Sequence, residues 1–132
     1  MHRVLLTVLM FCSLPSFAAE NDALTIDRAL PAEMKISFPN EYNVQPNISD
    51  FNVVNYSLMS NKDGERWAVV TVKNESSNNR TLDESHLLGL FANGERAHPL
   101  EFKQRVEGES LTSVILEFSE YKFPLLKVYS RR

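Results

Sequence analysis

From Phe51 onward, apolar and polar residues alternate with a period of two, the repeat of a strand with one face buried. Phe51–Met59 is the first such run. The turn sequence Asn61-Lys-Asp-Gly64 leads into Trp67-Ala-Val-Val-Thr-Val72, whose β-branched residues suit a pleated surface, so the two runs predict a hairpin. The segment Asn74–Ser85 then holds a single apolar side chain, Leu82, and reads as a solvated loop or a ragged edge. Order resumes at His86 with Leu87-Leu-Gly-Leu-Phe-Ala92. It runs into Asn93-Gly94, the dipeptide best suited to the two positive φ angles of a type I′ turn. A returning strand is expected near Ala97–Val106, where Leu100, Phe102 and Val106 alternate with Glu101, Lys103 and Arg105. Glu107-Gly-Glu109 turns the chain into Leu111–Phe118, and Leu125–Ser130 forms a last strand.

The residues before Phe51 follow no such rule. Pro31, Pro39 and Pro46 interrupt short apolar pieces such as Met34–Phe38, which predicts an extended entry strand and a long loop. Pro31–Ile36 could equally form one helical turn, since proline is well tolerated at a first helical position. The start of the chain differs again. His2 and Arg3 precede Val4–Phe11, apolar apart from Thr7 and far shorter than the roughly 20 residues a membrane span needs. Pro15 ends the run, and Ser16-Phe-Ala18 places small residues three and one positions before a cut after Ala18. That is the pattern of a cleavable signal peptide, residues 1–18. Phe11 is too bulky to precede a lipidated cysteine, so Cys12 is expected to leave with the signal.

The chain thus divides into a signal peptide (1–18), an irregular N-terminal segment with an entry strand (19–50) and a strand-rich body (51–132), the last two forming one domain of ordinary size. About seven short strands, with turn signals at 8 to 12 residue spacing, predict an all-β antiparallel sandwich or barrel. On Trp67-Ala-Val-Val-Thr-Val-Lys-Asn74, Leu90-Phe-Ala-Asn-Gly94 and Gly108-Glu-Ser-Leu-Thr-Ser-Val-Ile-Leu-Glu-Phe118, the chain resembles small exported bacterial immunoglobulin-like sandwich domains. The likeness is one of pattern over roughly residues 51–130. It implies a single antiparallel β-sandwich of about seven strands, without the paired cysteines of antibody-type domains.

Composition sharpens this picture. Cys12 is the chain's one cysteine, so the exported part has no disulfide or thiolate metal site and is expected to be held by apolar packing. Loss of Arg3 with the signal takes the formal charge from −3 to −4, too small an imbalance to suggest nucleic acid or an anionic membrane as the main partner. No second apolar run near membrane length follows the signal.

Candidate chemistry is sparse. His86 and His98, with Met34 and Met59, are the exported chain's histidines and methionines, and none stands at a short ligand spacing. Asp83-Glu-Ser-His86 contains the residue types of a catalytic triad, but without a nucleophile turn it reads as local backbone hydrogen bonding around Ser85. Glu107 with Glu109, and Glu117 with Glu120, read as solvated acids near turns and strand ends. Gly64, Gly89, Gly94 and Gly108 are too scattered for a phosphate loop. Lys122, Lys127, Arg131 and Arg132 gather near aromatic residues at the C-terminus, a pattern that alternation in a final strand explains. Asn47, Asn55, Asn74 and Asn79 head glycosylation-type sequons.

Catalytic, cofactor and metal residues are therefore expected to be absent. The expected function is a non-enzymatic exported binding or accessory protein, periplasmic or secreted, docking on another envelope or secreted protein through a sheet edge or through loops. Tyr42, Val44, Asn79, Arg80, Arg96 and His98 are the candidate contacts, because polar and proline-bounded loops commonly carry recognition. A secreted proteinase inhibitor and a periplasmic metal carrier using His86 and His98 are the alternatives.

Overall fold

The computed structural model describes residues 23–27 and 44–132. The predicted signal peptide, the Met34–Phe38 piece and Tyr42 lie outside them. Nine strands are found among the described residues: β1 (Thr25–Ile26), β2 (Phe51–Ser60), β3 (Glu65–Asn74), β4 (Arg80–Asp83), β5 (Leu88–Phe91), β6 (Arg96–Ala97), β7 (Lys103–Val106), β8 (Leu111–Glu120) and β9 (Leu125–Tyr129). A single 3-10 turn, Glu84–His86, separates β4 from β5. The strands form a four-stranded sheet in the order β1-β2-β3-β8, a two-stranded ribbon β4-β7 and a three-stranded sheet β6-β5-β9. All of these pairings are antiparallel. One parallel bridge, Ile48 to Arg131, ties the segment before β2 to the C-terminus.

Alternation decides what is buried. On β3 the even positions Ala68, Val70 and Val72 are buried and the odd ones Trp67, Val69 and Thr71 are half-exposed. Tyr56 and Leu58 of β2 and Val114, Leu116 and Phe118 of β8 lie on the same inner face. That face meets Leu82, Leu87, Phe91, Val106, Leu125 and Val128 from the other sheets in one continuous apolar core. Phe91 stacks on Tyr121 at 4.0 Å and meets Phe118 edge-on at 5.9 Å, which locks β5 against the end of β8. Gly89 lets this happen, because a Cβ there would stand 2.7 Å from the Phe118 ring.

The turns show where local chemistry refines the pattern. Gly64 takes a φ of +78° and its N–H bonds the Asn61 carbonyl at 3.2 Å, closing the β2–β3 hairpin. The Asn93-Gly94 turn is not type I′, since Gly94 has a φ of +88° while Asn93 is absent from the positive-φ residues. The Gly94 N–H instead reaches the Phe91 carbonyl, and Phe91 N–H reaches Glu95, at 2.9 Å each. This is a three-residue loop with glycine in the left-handed position, the next commonest hairpin solution.

Two segments depart from a simple strand reading. The expected strand Ala97–Val106 is divided into β6 and β7 by Pro99 and the bend at Leu100–Glu101 that follows it, because proline has no N–H to offer a ladder. Between them Leu100 is exposed, while Phe102 packs against the core. Of the two expectations for Asn74–Ser85, the edge is the one found: Arg80–Asp83 forms β4, paired with β7 alone, and Leu82 is fully buried. Asn74 itself is 0% exposed and organises the bend before β4. Its Nδ2 donates to the carbonyls of Asn78 (2.9 Å), Val106 and Glu107 (3.2 Å each), and its Oδ1 accepts from Ser76 N–H at 3.0 Å. Its sequon is therefore closed to modification in the folded state.

Candidate functional site

The 83–86 turn is a structural joint. The Asp83 carboxylate accepts from the Ser85 N–H at 2.9 Å and from the Ser85 hydroxyl, while His86 Nδ1 accepts from the Asp83 N–H at 3.0 Å. Together these form a capping box on the 3-10 turn. Ser85 is thus committed to Asp83, and the His86 ring nitrogen nearest the backbone is an acceptor, not a base poised on a hydroxyl. Partial burial would raise the Asp83 pKa, but the two Ser85 hydrogen bonds, together with the Lys103 charge and that of His86 when its ring is protonated, outweigh it and hold the carboxyl below its usual range. His98 serves the same joint from outside, with Nδ1 2.9 Å from the carbonyls of both Glu84 and Leu87. One nitrogen of each of His86 and His98 is therefore occupied by backbone. Among the described residues, no three His, Cys, Asp or Glu side chains are grouped to hold a metal ion.

The other sequence candidates occupy separate places. The Asn79 side chain accepts from the Gly108 N–H at 3.2 Å, and Arg80 Nε pairs with Asp50 at 3.1 Å. Arg96 Nε donates to the Tyr129 hydroxyl at 2.9 Å. Val44 is exposed in the segment that runs alongside the C-terminus. Each of the polar four spends its side chain on an internal contact.

A feature of different kind lies on the four-stranded sheet. β8 pairs with β3 on one side and has no strand on the other among the described residues. The direction of its backbone groups follows from two bonds: Ser110 C=O accepts from Asn74 of β3, whereas Glu117 C=O accepts from Leu100, on the opposite side. In an antiparallel strand the N–H and C=O of one residue point the same way and alternate along the chain. Thr112, Val114 and Leu116 therefore face β3, and Leu111, Ser113 and Ile115 present their N–H and C=O groups outward. Their side chains stand on the outer sheet face, where Leu111 is 60% and Ile115 62% exposed.

The two halves of this edge differ. Natural edge strands are blunted by charge, proline or bulges, which discourage another strand from pairing. Glu117–Glu120 has all the marks of protection except proline: two glutamates, Ser119 at a φ of +67°, a register shift against β3, and Leu100 bonded over it. Leu111–Leu116 has no charged residue, no proline and no register break. Beside it the outer face carries Val69, opposite Ile115, and Trp67, opposite both Met59 and Glu117. Ile26 of β1 extends the Met59 row and is 77% exposed. Sequence reading identified Leu111–Phe118 as a strand but not as an edge, because strand order is set by contacts far apart in the chain. The absence of charge between Leu111 and Leu116 was the available signal.

Comparison with protein-family models, with curated proteins and with solved structures found no match in any of the three.

Proposed function

We propose that this chain is an exported, non-enzymatic binding module on an immunoglobulin-like sandwich, which docks onto another cell-envelope protein by accepting a strand at the edge of β8. The carrying observation is the unprotected half-edge, Leu111–Leu116, on a strand whose other half is blunted. An added strand would satisfy the outward backbone groups of three residues and cover Leu111 and Ile115, the mode by which sheets commonly capture extended peptides. The open end of β2 is less suited, since β1 covers Met59 and Ser60 and Asp27 N–H bonds the Leu58 carbonyl. The predicted signal peptide, cut after Ala18, supports a place in the periplasm or beyond.

Ile115→Pro tests the reading. It removes an outward N–H and leaves the β3 ladder intact, as proline is tolerated on an edge strand. A photo-crosslinker at Ser113 is expected to trap one specific partner in native envelope extract, and the Ile115→Pro variant to lose it while keeping its fold. Equal capture by both proteins would remove the edge as the docking surface.

A further inference from the structure

At the blunted end of β8 an open recess of about 450 Å³ is lined by Glu65, Trp67, Leu100, Glu117, Ser119 and Glu120. It holds three carboxylates and one indole. The carboxylates of Glu117 and Glu120 belong to exposed residues, and Glu65 accepts a 2.6 Å bond from the Asn61 amide. Trp67 stands directly opposite Glu117 in the β3–β8 register. Glu117 is two residues beyond Ile115, one side-chain repeat or about 7 Å along the strand. The recess thus begins where the bare edge stops, on the same outer face.

Building on the docking role proposed above, we infer that the recess reads charge: the incoming strand carries an arginine at the end that reaches Glu117, stacked on Trp67 and paired with the glutamates. An anionic side chain would meet three carboxylates there, and a neutral one would forgo an ion pair with them. Arginine fits better than lysine because its planar guanidinium stacks on an aromatic face while its N–H fork engages a carboxylate. The bare edge supplies sequence-tolerant backbone pairing, and the recess supplies the choice between partners.

The probe is a seven-residue peptide of alternating valine and threonine with arginine at its first position, the end that lies at Glu117 when the peptide pairs antiparallel to β8, compared with the same peptide carrying glutamine or glutamate there and with an arginine peptide N-methylated along its backbone. Trp67 is the chain's one tryptophan, so its fluorescence reports the recess, while backbone amide shifts report the edge. The arginine peptide is expected to bind about tenfold tighter than the glutamine peptide, from one exposed ion pair and one cation–π contact. That preference should shrink at high salt and fall to the cation–π remainder, about threefold, in Glu117→Gln/Glu120→Gln, with binding of the glutamine peptide retained. The N-methylated peptide should not bind. Equal affinities for the arginine and glutamine peptides, with shifts at Leu111–Ile115, would overturn charge reading and leave edge docking standing. Unmoved β8 amides with every peptide would overturn both.

Discussion

Three residues show how individual side chains set the stability of this domain. Tyr56 is 7% exposed, and its hydroxyl has no hydrogen-bond partner among the described residues, so burial pushes its phenol pKa up and the group stands as a desolvation cost. Tyr56→Phe removes that cost and is expected to raise unfolding stability by about 1 kcal/mol in denaturant titration. Asn74 is the opposite case, a buried amide with all its capacity used. Asn74→Ala strands one N–H and several carbonyls and should cost about 3 kcal/mol by the same measurement. Asp83 couples the fold to pH. Its pKa is depressed in the folded state, so its contribution is present at neutral pH and fades as pH falls through the usual carboxylate range toward the folded value. Thermal midpoints of Asp83→Asn should therefore drop less between pH 7 and pH 3 than those of the parent protein.

At the level of elements, β4 and β8 separate what the sequence pattern carries from what packing adds. The hairpin β2–β3 and the strand β8 are legible because their inward and outward positions alternate over most of their lengths, and β9 because a short apolar run follows Pro124. β4 is short and contributes one core side chain, Leu82, so its periodic signal is too brief to register. Its existence depends on β7, and on the Asn74 bend, which is itself fixed by the carbonyls of Val106 and Glu107 far along the chain. Leu82→Ala is accordingly expected to cost about 3 kcal/mol, as for a fully buried leucine, whereas Ile115→Ala on the outer face should stay within about 0.5 kcal/mol. Equal effects at the two sites would mean that the β4–β7 ribbon is not part of the cooperative core. The glycine signals mark the bends at Gly64 and Gly94, whereas Pro99 lies inside a stretch that reads as one strand and divides it. The turn type at Asn93 was not readable, because asparagine accepts either sign of φ and the hairpin closure selects one.

For the whole molecule, the residue types that usually announce chemistry turn out to be joints. His86, His98, Ser85, Asn79 and Arg80 spend hydrogen bonds on holding loops to sheets. The proposed docking surface is made instead of unremarkable residues, Leu111, Ser113 and Ile115, whose meaning comes from lying on the outer side of the last strand in the sheet. Local sequence does not encode that position, since it depends on which strands pair. The central claim is that this half-edge stands open, and amide hydrogen exchange on the free protein tests it residue by residue. The amides of Thr112, Val114 and Leu116, bonded to β3, are expected to exchange near the rate set by global unfolding, with those of Ser113 and Ile115 exchanging orders of magnitude faster. Protection of Ser113 and Ile115 equal to that of their neighbours would show that the edge is already paired, and would contradict its proposed role as a strand acceptor.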